Sequence, residues 1–251
     1  MRAEQYNYIY KGLTKYEDIS YLSRKLRLPK ELLLVIYTQK TIRKASKDFY
    51  KMKNRMDKLE DMWQNGTTFC QIAAKFEFPP VLLAFLLLTK DGEYSKKGYR
   101  KLLHDPDQIK DKRLKREIKE VVKQDRIYSP NGSDVQKMRG VKGEETIEKW
   151  LKKKKIDYRT EEDLRGEFPK TPDFLFDEPI FHRGSEVFWI ESKASFGDRI
   201  EINKNLRKQL VPYIELFGEG MVIYLFGTID DYPTQDGILI ETQDFFKDYR
   251  E

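Results

Sequence analysis

The stretch GMVIYLFG, residues 220–227, places six apolar side chains in a row between two glycines. An unbroken apolar run of this length is typical of a strand that is buried on both faces of a sheet. In such proteins helices cover both sides of the sheet. The feature therefore predicts an α/β sandwich around a central sheet.

Neighbouring segments supply the other layers of this sandwich. Residues 171–177 and 186–195 predict two strands joined by a turn near Arg183–Gly184–Ser185, and 237–242 predicts a last strand. Helices are predicted over 141–154 and about 200–217. Pro212 lies inside the second helix and should bend it or remove one backbone hydrogen bond. The order of these segments predicts one mixed sheet.

The first half of the chain reads as helical throughout and contains a weak internal repeat. LSRKLRLPKELLLVI (22–36) matches IAAKFEFPPVLLAFL (72–86) at an offset of 50 residues. Each copy ends a helical turn at apolar-X-apolar-Pro and then begins a second, apolar helix. This is the layout of a helix-turn-helix unit. Packing alone would also explain the repeat, and the apolar second helix of the later copy predicts burial.

A cluster of Pro, Asn, Gly and Ser in YSPNGSDVQ (128–136) marks the best domain boundary. The predicted domains are a helical, helix-turn-helix-like nucleic-acid-binding domain over residues 1–127 and a catalytic domain over 128–251. The fold class is accordingly α+β or α/β, with an all-helical N-terminal domain and a C-terminal α/β sandwich.

Composition restricts the partners and the cofactor. The 48 basic residues exceed the 42 acidic ones, and the pI near 9.0 favours nucleic acid over a membrane surface as partner. One cysteine and two histidines exclude a cysteine-based or histidine-rich metal site, so that Mg²⁺ or Mn²⁺ on carboxylates is favoured. No signal peptide or membrane-spanning apolar run is recognisable, which predicts a soluble, intracellular protein of the cytoplasm or, in a eukaryote, the nucleus.

Three charged side chains lie on the two predicted strands. Antiparallel pairing would bring Asp173 near Glu191, and Glu191 and Lys193 share one strand face. Two carboxylates at one site repel each other and lose hydration unless a cation is present. Asp173, Glu191 and the backbone carbonyl of Ser192 are therefore predicted to hold a divalent ion, with Lys193 at the attacking water. Taken alone, Glu-X-Lys is a common surface ion pair.

Flanking helices favour the catalytic interpretation. Glu144, Ile147 and Leu151 follow i, i+3 and i+7, which predicts that Glu144 lies on the apolar helix face. Gln209 and Tyr213 share the inward stripe of the later helix. His182, in the turn region between the strands, is predicted to be a solvated loop histidine.

These motifs resemble those of a known nuclease superfamily. Asp173 with Glu191-Ser192-Lys193 is similar to the PD-(D/E)XK pattern, Gly140 to Glu144 to its GxxxE element, and Gln209 to Tyr213 to its QxxxY element. More narrowly, KTPDFLF (170–176), WIESKASFGD (189–198) and GEGMVIYLFG (218–227) resemble the TPD-motif family.

The resemblance implies a restriction-endonuclease-like fold and a Mg²⁺-dependent phosphodiesterase. It places the metal on Asp173 and Glu191 and the catalytic lysine at Lys193, with supporting catalytic positions at Glu144, Gln209 and Tyr213. A nuclease acting on DNA, including branched DNA, is the first hypothesis. A non-cleaving nucleic-acid-binding or adaptor protein is the alternative, and RNA cleavage stays open, as does endo- against exonuclease action. A resolvase-like role would predict a homodimer, and the sequence identifies no protein partner.

Overall fold

The computed structural model describes residues 1–248 and contains a five-stranded mixed sheet. Its strands lie in the order β1 (Arg159–Thr160), β2 (Phe174–His182), β3 (Ser185–Lys193), β4 (Gly220–Tyr224) and β5 (Ile238–Thr242). The pairs β1–β2 and β2–β3 are antiparallel, and β3–β4 and β4–β5 are parallel. The predicted mixed sheet is confirmed. Strand β1 was not predicted, since two residues carry no periodic pattern.

The β2–β3 hairpin closes at the predicted turn. Arg183 and Gly184 both have positive φ, 51° and 82°, as a two-residue type I′ turn requires. Phe174 pairs with Ile190, and the register shifts between Leu175 and Ile180. Pro179 lies in this irregular stretch, where the missing backbone N–H does not break the ladder. The irregularity lets β2 continue to His182, five residues beyond its predicted end.

Helices cover both faces of the sheet. On one face α9 (Pro130–Lys154) buries Ile147, Trp150 and Leu151 in a cluster with Phe174, Ile190 and Ile223. On the other face lie α10 (Arg199–Asn205), a π-helical turn (Leu206–Leu210) and α11 (Val211–Phe217). These bury Leu206, Leu210 and Tyr213 in a cluster with Trp189, Val222 and Tyr224. Every residue of β4 is buried, which confirms the predicted sandwich.

The interruption predicted at Pro212 takes the form of the π-helical turn. Pro212 stands in the first turn of α11, where its missing N–H is tolerated, and the wider turn comes directly before that helix. Gln209 lies in the π-helical turn and Tyr213 in α11. Such turns are frequent at functional sites.

Residues 128–136, predicted to separate two domains, are helical from Pro130 onward. Ser129 Oγ accepts the N–H of Gly132 at 3.2 Å, and Pro130 fits the first helical position. Ser129 and Pro130 thus begin this helix, whereas its predicted start was residue 141. The chain packs as two compact units, Met1–Tyr37 with the chain from Met138 onward, and Thr38–Lys137. The predicted domains, 1–127 and 128–251, stay a prediction.

The remaining helices are distributed over both units. The first contains α1 (Ala3–Gly12), α2 (Asp18–Leu26), the start of α3 (Lys30–Lys53) and, at the other end of the described chain, α12 (Phe245–Asp248). The second contains the rest of α3 and α4 (Met56–Gln64), α5 (Phe69–Lys75), α6 (Pro80–Thr89), α7 (Lys96–His104), a 3-10 turn (Pro106–Gln108) and α8 (Lys112–Gln124).

The internal repeat is a repeat of structure. Arg27 after α2 and Glu77 after α5 both adopt left-handed backbone, with φ of 55° and 47°. The following N–H in each copy returns to the carbonyl five residues earlier, at 3.2 Å for Leu28 and 3.0 Å for Phe78. This is the Schellman ending of a helix, repeated at the predicted offset of 50 residues. As predicted, α6 is mostly buried, and contact of either copy with nucleic acid stays a prediction.

Within residues 1–248 no single helix is both long enough and apolar enough to span a membrane. Only α5 and α6 together have the length and composition, and they meet at a bend of 116°.

Candidate active site

The candidate site lies where β2 begins and β3 ends. The N–H of Ser192 donates to Asp173 Oδ2 at 2.7 Å, so the two strands are joined directly at the carboxylate. Phe174 pairs with Ile190, which brings the neighbouring Asp173 and Glu191 together as predicted. In a strand the N–H and C=O of one residue point to the same edge. The carbonyl of Ser192 therefore lies on the β2 side of β3, while that of Lys193 lies on the other side and accepts from the N–H of Leu225 at 3.0 Å.

A hydrogen-bond network joins four of the predicted side chains. Glu191 Oε1 accepts from Lys193 Nζ at 2.5 Å and from Gln209 Nε2 at 2.8 Å. Lys193 Nζ also donates to Gln209 Oε1 at 2.8 Å. Gln209 Nε2 further donates to the hydroxyl of Tyr213 at 2.8 Å, and that hydroxyl donates to the carbonyl of Thr171 at 2.6 Å. The network fixes the rotamers of all four side chains, and it reaches back to the residue two before Asp173.

Within residues 1–248 the second carboxylate oxygen of Glu191 accepts no hydrogen bond. Its side chain is 4% exposed, and Oε2 is buried without a hydrogen bond. An unsatisfied buried carboxylate oxygen costs free energy and is rare in folded proteins, so it indicates a missing water or ion. Within the described chain no three His, Cys, Asp or Glu side chains are arranged as a metal site. Two carboxylates and a carbonyl are nevertheless a donor set that suits Mg²⁺ or Mn²⁺.

Burial makes both carboxylates reluctant to ionise. Loss of hydration and then the charge of Glu191 raise the pKa of Asp173 to about 8, although the Ser192 N–H and Lys193 oppose the rise. Burial also raises the pKa of Glu191, against the lowering effect of Lys193. One ammonium group therefore does not compensate two buried carboxylates. A further cation would do so.

Glu144 faces the site from α9 but does not lie on the apolar helix face. The buried face of α9 runs through Gly143, Ile147 and Leu151, while Glu144, one position further round, is exposed. The predicted placement was wrong because a glycine, which carries no side chain, begins the buried stripe. Desolvation, followed by the charges of Glu161 and Glu191, raises the pKa of Glu144.

A cleft beside Asp173 is strongly acidic. Its lining contains one arginine, Arg165, and the carboxylates of Glu144, Glu145, Glu148, Glu161, Glu162 and Asp173. A polyanionic substrate would be repelled from such a cleft unless cations neutralise it. Glu161 and Glu162 were not among the predicted site residues, because they lie in a loop without periodicity. The acidic run EED (161–163) was the available signal.

Gly143 allows α9 to approach the sheet at the site. A Cβ atom there would lie 2.2 Å from Leu225 Cδ1 and 2.9 Å from Ser192 Oγ, which are closer than van der Waals contact allows. Gly140, the glycine of the predicted element, would have nothing within 4 Å of an added Cβ. The steric requirement for a glycine therefore applies to Gly143, and a glycine inside the helix predicted over 141–154 was its sequence signal.

His182 does not behave as the predicted loop histidine. Its side chain is 10% exposed, its Nε2 lies 2.9 Å from Glu241 Oε1, and its ring meets the edge of Phe245. The prediction was wrong because β2 extends to His182 and places it over β5. It takes no part in the network around Glu191.

A family profile matches residues 110–244, which include this whole network, and its description is "Protein of unknown function TPD sequence-motif". The chain belongs to the TPD family. The chain is also similar to vertebrate proteins named CDAN1-interacting nuclease 1. The mouse and human proteins are each 31% identical over 194 residues, which cover 73% of this chain and 69% of the relative. The zebrafish protein, from Danio rerio, is 33% identical over 180 residues, or 68% of this chain and 60% of the relative. No solved structure gives a significant match to this TPD chain.

Proposed function

We propose that this TPD chain is a divalent-metal-dependent nuclease that hydrolyses phosphodiester bonds in DNA, branched DNA included. The unpartnered Glu191 Oε2 beside Asp173 is the observation that carries the proposal. The names of the vertebrate relatives support nuclease activity in general. The resemblance to the PD-(D/E)XK pattern supports the choice of residues.

Asp173, Glu191 and the carbonyl of Ser192 would hold the ion. The network leaves the second oxygen of Glu191 open for this role, because Lys193 and Gln209 both bond to Oε1 and neither of them bonds to Oε2. When bound, Mg²⁺ or Mn²⁺ would lower the pKa of water and offset negative charge on the phosphate oxygens. The pKa values of Asp173 and Glu191, raised without metal, would fall as the carboxylates gain an opposite charge.

Lys193 would supply a second positive charge to the reacting phosphate, besides that of the metal ion. Its ammonium is held by Glu191 and Gln209, and its side chain is 18% exposed, so it retains an opening toward substrate. There it would orient the attacking water or stabilise charge that develops on the phosphate. Tyr213 acts through Gln209, whose amide it orients, and it is a positioning residue.

Lys193→Ala tests the proposal with the full chain. We expect cleavage to fall at least about 100-fold, as when one preorganised charge-stabilising donor is removed. The variant should remain folded by circular dichroism and should bind nucleic acid as the wild type does. Lys204→Ala, which removes a half-exposed surface lysine of α10, is the matched control and should retain activity. Full activity in Lys193→Ala would refute the assignment.

The substrate is tested by a cleavage panel. Single-stranded, duplex, flap and four-way-junction DNA and an RNA of the same sequence are compared with Mg²⁺, with Mn²⁺ and with chelator. We expect metal-dependent cleavage of DNA, and faster cleavage of RNA would change the substrate class.

A second candidate function is a non-cleaving adaptor. The name CDAN1-interacting nuclease 1 favours this candidate, since it says that the relatives interact with the protein CDAN1. Calorimetric titration with Mn²⁺ separates the two candidates. Mn²⁺ binding that depends on Asp173 and Glu191 supports the nuclease. Absence of Mn²⁺ binding, together with absence of cleavage in the substrate panel, supports the adaptor.

A further inference from the structure

A cleft of about 590 Å³ opens within residues 38–137, between α6, α7 and the start of α9. Its floor is apolar and consists of Val81, Leu82 and Phe85 from α6 with Tyr99 and Leu103 from α7. Concave sites of this size, lined mainly by apolar groups with a few polar ones, are typical of binding sites.

One edge of the cleft carries a row of basic side chains. Lys96, Arg100 and His104 are four residues apart on α7, so they lie on one helix face at successive turns. All three are exposed, and none makes a side-chain hydrogen bond or ion pair within the described part of the chain. At a rise of 1.5 Å per residue the row is about 12 Å long. The apolar floor thus has an uncompensated basic border.

The walls of the cleft are fixed by hydrogen bonds. The hydroxyl of Tyr99 donates to the carbonyl of Val81 at 2.6 Å, which ties α7 to α6. The buried carboxylate of Asp125 accepts from the N–H groups of Val81 at 3.2 Å and of Tyr128 at 2.8 Å. Phe85 packs against the Tyr99 ring with centroids 5.5 Å apart. A preformed site loses little conformational freedom when a partner binds.

We propose that this cleft binds an amphipathic helix of a partner protein whose polar flank is acidic. Apolar side chains of the partner helix would pack on the floor, in the manner of helix-in-groove recognition. Acidic side chains at i, i+4 and i+8 have the same spacing as Lys96, Arg100 and His104 and would lie against them. The length of the row suits such a helix better than a single compact anion.

Nucleic acid fits the cleft less well. Single-strand binding relies on exposed aromatic rings for base stacking, but Phe85 and Tyr128 in the cleft are partly buried and no phenylalanine or tyrosine ring of its lining is exposed. The Tyr99 residue is 3% exposed and its hydroxyl is already bonded. The second helix of the later repeat, α6, is thereby assigned to a protein partner.

The probe is a fluorescent helical peptide of about 16 residues, or about four turns. It carries Leu and Phe on one face and Glu at i, i+4 and i+8 on the flank. Two further peptides have a scrambled sequence or Lys in place of Glu. Anisotropy titrations with the full chain should show saturable binding of the Glu peptide and at least tenfold weaker binding of the scrambled one.

Protein variants locate the binding. Arg100→Glu should weaken the Glu peptide at least tenfold and strengthen the Lys peptide, a reversal that misfolding would not produce. Lys101→Glu changes an exposed lysine of α7 outside the cleft and should leave binding unchanged. Cleavage by Arg100→Glu should equal that of the wild-type chain, because the proposal is independent of the nuclease site.

Several results would overturn the proposal. Equal binding of the scrambled peptide, or no effect of Arg100→Glu, would exclude the cleft as a helix site. Displacement of the Glu peptide by a single-stranded oligonucleotide, with loss of oligonucleotide binding in Arg100→Glu, would assign the cleft to nucleic acid. Self-association that Arg100→Glu abolishes would assign it to a second copy of the chain.

Discussion

Replacement of Asp173 by asparagine separates the charge at the candidate site from its shape. Asparagine keeps an oxygen that can accept the Ser192 N–H, but it cannot ionise. In the metal-free chain burial and the charge of Glu191 raise the pKa of Asp173 from 3.8 to about 8. At about 1.4 kcal/mol per pKa unit, ionising Asp173 destabilises the folded chain by up to about 6 kcal/mol.

The sign of the pH dependence follows from the raised pKa. A carboxyl group that holds its proton more tightly in the folded chain stabilises the fold while it is protonated. This contribution is complete below about pH 4 and is lost as the pH rises toward 8. Asp173→Asn does not lose this stabilising contribution, because asparagine stays uncharged at every pH. Relative to wild type, the metal-free variant should therefore gain up to about 4 kcal/mol between pH 5 and pH 8.

Urea unfolding at pH 5 and pH 8, with chelator, measures this difference. Asp157→Asn, at an exposed position, is the control and should show the pH dependence of the wild type. At pH 8, added Mn²⁺ should stabilise the wild type but not Asp173→Asn, since ligand binding to the folded state raises its stability. The reasoning is refuted if Asp173→Asn and wild type respond equally to pH, or if metal stabilises both equally.

Three further substitutions test the surroundings of the site. Gly143→Ala should lower the free energy of unfolding by about 1–3 kcal/mol in chemical denaturation, because its Cβ would overlap Leu225. Gly140→Ala has open space and should be neutral or slightly stabilising, so equal effects of the two would contradict the packing argument. Tyr213→Phe removes the hydroxyl that orients Gln209 and should lower kcat about tenfold, with little change in KM. If circular dichroism shows that Tyr213→Phe is unfolded to the extent that its activity is lost, the tyrosine has only a structural role.

Local patterns predicted the elements correctly wherever periodicity was long. The six-residue apolar run marked β4, and the Arg183–Gly184 turn signal located the hairpin. Regular alternation also placed Glu191 and Lys193 on one strand face. Prediction failed at the start of α9, because Ser-Pro followed by Asn-Gly-Ser fits both a loop and a capped helix. It failed again at Glu144, because the glycine before it carries no hydrophobicity.

The sequence by itself determined the layers of the fold and the residue types of the candidate site. Alternation and helical spacing depend on neighbours in the chain, so they are readable without coordinates. Only the tertiary structure decided which atom of Glu191 is occupied, how close Gly143 comes to Ser192, and which acids border Asp173. These features arise where β2, β3, α9 and the π-helical turn meet. Distances between segments far apart in the chain depend on packing, which no local pattern encodes.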